Sequence, residues 1–197
     1  TSTIFCRSVI LATGGKSYPQ TGSTGDGYVL AQKTGHTITK IKPALVPLET
    51  VESTKALMGL SLKNISVCVF DRQGKKKFTD FGEMLFTHFG VTGPIILSAS
   101  SQYVKKHYGN KLQLYIDLKP ALSEDKLDEK FKREFVEFAK KDYRNYLNSL
   151  LPASFIDFFM RKTKIANKKM SEFTKNDRLT MINTLKKFDF SINSLDN

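Results

Sequence analysis

Between Thr13 and Tyr28 the chain concentrates small and hydroxyl-bearing residues. Thr13-Gly14-Gly15 comes first, followed by Gly22-Ser23-Thr24-Gly25-Asp26-Gly27. Glycine has no Cβ, so a Thr-Gly-Gly turn lets the backbone approach a bulky ligand closely. The second cluster stands ahead of a helix-like run, where exposed amide N–H groups favour anionic oxygen such as that of a dinucleotide diphosphate. The same glycines would serve two tight turns needing positive φ, and as isolated glycines they leave both readings open. Asp26 is open in the same way, as a group at a ligand's edge or as a cap on the helix that begins near Gly27. His88, between two Phe residues and just before Gly90-Val-Thr-Gly-Pro94, is either a structural residue or a substrate-facing proton donor or anion contact.

These residues need elements to position them. Residues 3–12 form an apolar, β-branched run that reads as a buried strand entering the Thr13-Gly14-Gly15 turn. Tyr28 to Ala31 reads as a short helix closed by Gly35. From His36 to Val51 the chain reads as extended, with Pro43 and Pro47 excluding a regular central strand. Residues 61–90 alternate through Leu62, Ile65, Val67 and Val69, then Phe78, Phe81, Leu85, Phe86 and Phe89. Turn signals at Asn64, Gly74 and Gly82 predict an antiparallel sheet or small barrel. Pro94 opens a helix running to about Lys106, and Leu112, Leu114, Ile116 and Leu118 predict one more strand.

After Pro120 the apolar period lengthens to that of helices. Ser123 caps a first helix with Leu127, Phe131, Phe135 and Phe138 on one face. A second runs from Pro152 through Phe159, and a third follows the capping-box pattern Thr174-Lys-Asn-Asp177. The end, from Phe190 to Asn197, shows neither helix nor strand logic. The fold class expected is α+β in three parts: residues 1–50, a β module over 51–120, and a helical module over 121–197.

Composition narrows the partners. Net charge is +12, but basic residues are spread along the chain and interleaved with acids in the last third. That dispersal argues against a nucleic-acid partner, and Lys75-Lys76-Lys77 reads as the solvated end of a hairpin turning at Asp71–Gly74. Two unrelated cysteines, Cys6 and Cys68, and three scattered His give neither a metal set nor a disulfide framework. Both cysteines sit in strand-like runs as small buried hydrophobes, which fits a reducing cytoplasm. His36 and His107 read as surface residues. No run has the length of a transmembrane helix, so no membrane partner is expected.

The order of the pieces resembles a known family. Val9-Ile-Leu-Ala-Thr-Gly-Gly15 is similar to the strand-plus-ATGG element of two-dinucleotide-binding-domain flavoproteins. Ser23-Thr24-Gly25-Asp26-Gly27 resembles the TGDG-helix element of the fumarate reductase and succinate dehydrogenase flavoproteins. The full string to Tyr28, with Gly35-His36 and Pro43-Ala-Leu-Val-Pro47-Leu, resembles the aminoacetone-oxidase-like FAD-dependent oxidoreductases, a group that includes a bile-acid dehydro-reductase. Met84-Leu-Phe-Thr87-His88-Phe-Gly90-Val-Thr92-Gly93-Pro94 resembles a second element of that family.

The resemblance implies the edge of an α/β FAD-binding domain interrupted by a β barrel and a helical bundle. It implies FAD as cofactor, with Thr13, Gly14 and Gly15 lining it and Ser23, Thr24, Gly25 and Asp26 near the flavin or substrate edge. The two segments that complete the family's FAD site, a Gly-rich strand–turn–helix and a Gly-Glu-containing segment, do not occur in this sequence. The chain is therefore expected to be an internal fragment of an oxidase or reductase of a small organic substrate. It would partner the rest of its parent chain, neither retain FAD nor turn over alone, and its parent would be cytoplasmic. The alternative is a basic, non-enzymatic module binding nucleic acid or an acidic partner, which predicts cations gathered on one face.

Overall fold

The computed structural model describes residues 3–102 and 112–193, and the chain divides into two compact units, Thr1–Pro43 and Ala44–Asn197. The first contains one α-helix, α1 (Asp26–Lys33), preceded by a short 3-10 turn at Pro19–Thr21. Helix α1 stops where Gly35 takes a φ of 93° and His36 N–H closes back onto the Ala31 carbonyl. That is the glycine stop expected there.

Residues 3–12 are not the buried strand that their apolar pattern predicts. They carry no strand in the structure, and Ile4, Phe5 and Ile10 are 82%, 96% and 90% exposed. A strand exists only through ladder hydrogen bonds to a neighbour, and the described part of this unit holds no second strand. Cys6 is accordingly exposed rather than buried, while Cys68 is half-buried in the second unit.

The second unit is a six-stranded antiparallel sheet rolled almost shut. Its strands are β1 (Leu48–Glu49), β2 (Ser61–Phe70), β3 (Lys76–Phe86), β4 (Gly90–Thr92), β5 (Leu112–Asp117) and β6 (Phe188–Ile192). They lie in the order β1-β4-β3-β2-β5-β6. The two edges meet: Thr50 bridges Ile192, Val51 N–H donates to Ser191 O at 2.8 Å, and Asn193 N–H donates to Glu49 O at 3.0 Å. The Glu52 carboxylate accepts from Ser191 N–H at the same seam. Joining the edges leaves few unpaired backbone groups to attract another chain.

Strand β6 corrects the expectation for the end of the chain. Phe188, Phe190 and Ile192 alternate inward and Asp189 and Ser191 outward, and the strand pairs with β5 across a long sequence interval. Residues 194–197 lie outside the described residues. Asn64 (φ 54°) sits at a bulge in the β2–β3 pairing, and Gly74 (φ 74°) sits in the hairpin turn, where the Asp71 carboxylate accepts from Gln73 and Lys75 N–H. Gly82 is no turn. It lies inside β3 beneath α2 (Pro94–Gln102), where an added Cβ would come 2.9 Å from Ile95 Cγ2. The expected continuation of α2 to Lys106 lies outside the described residues, as does His107; His36 is exposed.

The helical part holds α3 (Glu124–Glu137), α4 (Tyr143–Leu147), α5 (Ala153–Thr163) and α6 (Lys175–Lys186). Ser123 caps α3 by accepting from Lys126 N–H, and Thr174 with Asp177 forms the complete capping box of α6. These buried helix faces and the barrel interior make one continuous core. Phe86 from the barrel packs on Phe155 of α5, and Phe188 touches Phe155, Phe158, Phe159 and Phe190. Burying each such ring removes roughly 150–250 Å² from water, which seats the helices on the barrel.

Candidate functional site

In the first unit the chain folds so that its two glycine clusters face each other. An added Cβ at Gly14 would lie 3.6 Å from Ser23 Oγ, and one at Gly25 would lie 3.3 Å from the Lys16 stem and 3.5 Å from the Tyr28 ring. A Cβ at Gly27 would collide with the Thr13 hydroxyl. The Thr13-Gly14-Gly15 turn therefore lies across the N-terminus of α1. Gly14 and Gly25 have φ values of 73° and 89°, the left-handed region that L side chains adopt rarely.

Gly15 differs from its neighbours. Its φ lies outside the left-handed region, and an added Cβ would meet only Tyr28 Oη at 3.7 Å, an ordinary contact. Neither conformation nor local packing demands glycine here. The N-terminus of α1 is open: Gly25 is its N-cap, no side chain caps it, and Asp26 stands in the first turn rather than at the cap. Thr13, Gly14, Thr24 and Asp26 are exposed, Ser23 and Gly15 half-buried, and Gly25 and Gly27 buried. Sequence reading passed over Lys16 and Tyr28, whose side chains lie over these glycines. Lys16 stands in a polar loop and Tyr28 in the first turn of α1, and no periodicity marks either as lying over a glycine.

His88 belongs to the second unit, on the tight connection from β3 to β4. The residues around it have structural tasks. Thr87 N–H donates to Gly90 O at 2.8 Å, Thr87 Oγ1 accepts from Gly90 N–H, and Thr54 Oγ1 donates to Thr87 O at 2.9 Å. An added Cβ at Gly90 would come 2.9 Å from Glu49 Cα, and one at Gly93 (φ 102°) would come 2.9 Å from Met84 Cα. His88 is exposed and its ring meets Phe89 edge-on at 4.8 Å. Thr87, Gly90, Gly93 and Pro94 thus build the turn and start α2, while His88 is left with its imidazole to solvent.

Electrostatic anchoring lies elsewhere. Lys132 and Arg178 hold the Asp128 carboxyl below its ordinary range, tying α3 to α6 through Arg178 Nε at 2.6 Å. Burial pushes the Tyr143 hydroxyl up to about 12, offset in part by the Thr163 hydroxyl. Among the described residues no three His, Cys, Asp or Glu side chains come together to hold a metal ion, and no helix is long and apolar enough to cross a membrane.

Comparison with known proteins matches residues 42–196 to the family described as HI0933-like protein barrel and H2TH domain. That span corresponds closely to the second unit. The chain is 25% identical over 191 residues to a ribosomal RNA dihydrouridine synthase of Haemophilus influenzae, covering 97% of this chain and 45% of that protein. It is 29% identical over 150 residues to a 3-dehydro-bile acid delta(4,6)-reductase of Clostridium scindens, covering 75% and 36%. It is 24% identical over 189 residues to a ribosomal RNA dihydrouridine synthase of Escherichia coli, covering 93% and 43%. The chain spans less than half the length of these relatives.

Proposed function

The chain belongs to the HI0933-like barrel and H2TH domain family, and on that premise we propose that it is the middle part of a flavin-dependent oxidoreductase working as a reductase. The reading rests on two kinds of support. By their names, two relatives make dihydrouridine in ribosomal RNA and one reduces a bile acid. Saturating a ring double bond conjugated to a carbonyl is common to both, and it reaches a small organic ring as readily as a base in RNA. Within this chain, the observation that carries the cofactor assignment is Gly15, a glycine that neither its backbone angle nor its own neighbours require.

FAD, the cofactor proposed for the full-length protein, would supply hydride when reduced. The residues here would hold one edge of it. Backbone at Thr13, Gly14 and Gly15 gives a side-chain-free surface for a flat ring or a diphosphate. The open N-terminus of α1 presents amide N–H groups from Asp26 and Gly27 toward negative charge, with Ser23 and Thr24 hydroxyls beside it. Asp26 would lie at the flavin or substrate edge. His88 would supply or orient a proton at the substrate, its imidazole being exposed and uncommitted.

Because the first unit offers one edge of a site, this chain alone would not retain flavin. Absorbance spectra of purified proteins test the reading. The full-length protein should be yellow with stoichiometric flavin and this chain colourless after gel filtration. Stoichiometric flavin on this chain would refute the incomplete site.

A further inference from the structure

On the outward face of the barrel, where the β2–β3 hairpin overhangs the start of β5, lies a cavity of about 440 Å³. Phe70, Asp71, Arg72, Gln113, Tyr115 and Lys187 line it. Its volume falls in the range of roughly 300–1,000 Å³ typical of small-ligand sites. Phe70 and Tyr115 form an aromatic wall, edge to face at 5.2 Å, and Lys187 Nζ stands 4.6 Å from the Tyr115 ring centre. Gln113 is held through its amide nitrogen by Ser191 Oγ at 3.2 Å, leaving its carbonyl oxygen to accept.

The charges are unequally committed. The Asp71 carboxylate is occupied by Lys77 Nζ at 2.8 Å and by two backbone amides, and the Lys77 bond holds its pKa below the usual carboxylate range. Arg72 and Lys187 pair with no carboxylate among the described residues. The fold thus brings to one cavity two cations, Arg72 and Lys187, that lie far apart in sequence.

We propose that this cavity binds a nucleotide of single-stranded RNA, its base against Phe70 and Tyr115 and its phosphate between Arg72 and Lys187. Aromatic stacking with cations tracking the backbone is how proteins hold unpaired strands, and an acidic peptide would leave the aromatic wall and the fixed amide unused. This deepens the reductase reading by naming RNA as the substrate class, and it rests on that reading for the choice of RNA.

The test uses this chain and a short fluorescein-labelled oligouridylate, followed by anisotropy at several salt concentrations. The double variant Arg72→Glu/Lys187→Glu should weaken binding by ~10-fold or more, because it removes phosphate contacts that release counterions. Lys140→Glu/Lys141→Glu, with the same charge change on the helical part, should change it little. Tyr115→Ala should lose ~10-fold while Tyr115→Phe binds as the parent does. Undetectable binding, equal losses from both charge reversals, or equal competition by polyglutamate would overturn the proposal. The charge variants replace exposed side chains, so the result stands even if Tyr115→Ala unfolds. Failure here leaves the flavin reading untouched, since that is decided by the full-length protein's spectrum.

Discussion

The two units of this chain use apolar residues in opposite ways. In Ala44–Asn197, Phe86, Phe155, Phe159, Phe188 and Phe190 are each at most 1% exposed and interlock barrel with helices. In Thr1–Pro43 the only buried residues among those described are two glycines, Gly25 and Gly27, while Ile4, Phe5, Val9 and Ile10 are all more than three-quarters exposed. The second unit is a scaffold that stabilises itself. The first exposes backbone at its glycine clusters and has almost no apolar core among its described residues. Exposed glycine backbone and stabilising core are here supplied by different stretches of sequence.

That contrast can be broken by substitution, and the core should show the largest effect. Phe188→Ala leaves a cavity among four aromatic neighbours and should cost about 3–5 kcal/mol in denaturant unfolding. Phe5→Ala should stay within about 0.5 kcal/mol. A comparable loss from both would mean that the first unit shares a cooperative core. Gly93→Ala comes next: φ of 102° and a backbone atom 2.9 Å away should cost roughly 1–3 kcal/mol from strain alone.

Tyr143 gives a pH signature confined to the second unit. Its folded pKa is raised from 10.0 to about 12, so the folded state holds its proton where the unfolded state loses it. Stability is full below pH 10 and falls as pH rises through 12, by on the order of 3 kcal/mol. Tyr143→Phe should flatten that part of the alkaline profile, and an unchanged slope would assign it to other groups. Smaller again, Thr174→Ala removes the hydroxyl of the capping box and should cost about 0.5–2 kcal/mol, read in the same unfolding series.

What the sequence disclosed follows the range of the interactions. Helices α3 and α6 were legible because Ser123 and the Thr174–Asp177 box act within one turn, and the alternation of Leu112, Leu114 and Ile116 marks a strand locally. Strand β6 was not, although Phe188, Phe190 and Ile192 alternate as cleanly, because its partner β5 lies far upstream and a terminal run gives no turn signal. Residues 3–12 failed in the opposite sense: the pattern of a buried strand is present and the neighbour that would make it one is not among the described residues of this unit. Gly82 reads as a turn in sequence because its role, clearance for Ile95, is a contact between elements. At the site, the two glycine clusters were legible as separate runs. That Thr13 lies against Gly27 and Lys16 over Gly25 needed the folded loop. The cations at Arg72 and Lys187 are far apart in sequence and meet only through the sheet.

The central claim is that Gly15 is glycine because a cofactor lies against its backbone. Flavin titration and thermal melting of Gly15→Ala and Gly35→Ala in the full-length protein test this directly. Gly35 is the control, with a φ of 93° and open space around it. The account predicts that Gly15→Ala weakens flavin binding by ~10-fold, a loss of about 1.4 kcal/mol, while apo-protein melting stays put. Gly35→Ala should lower melting with or without flavin. Equal flavin affinity in wild type and Gly15→Ala would contradict the account.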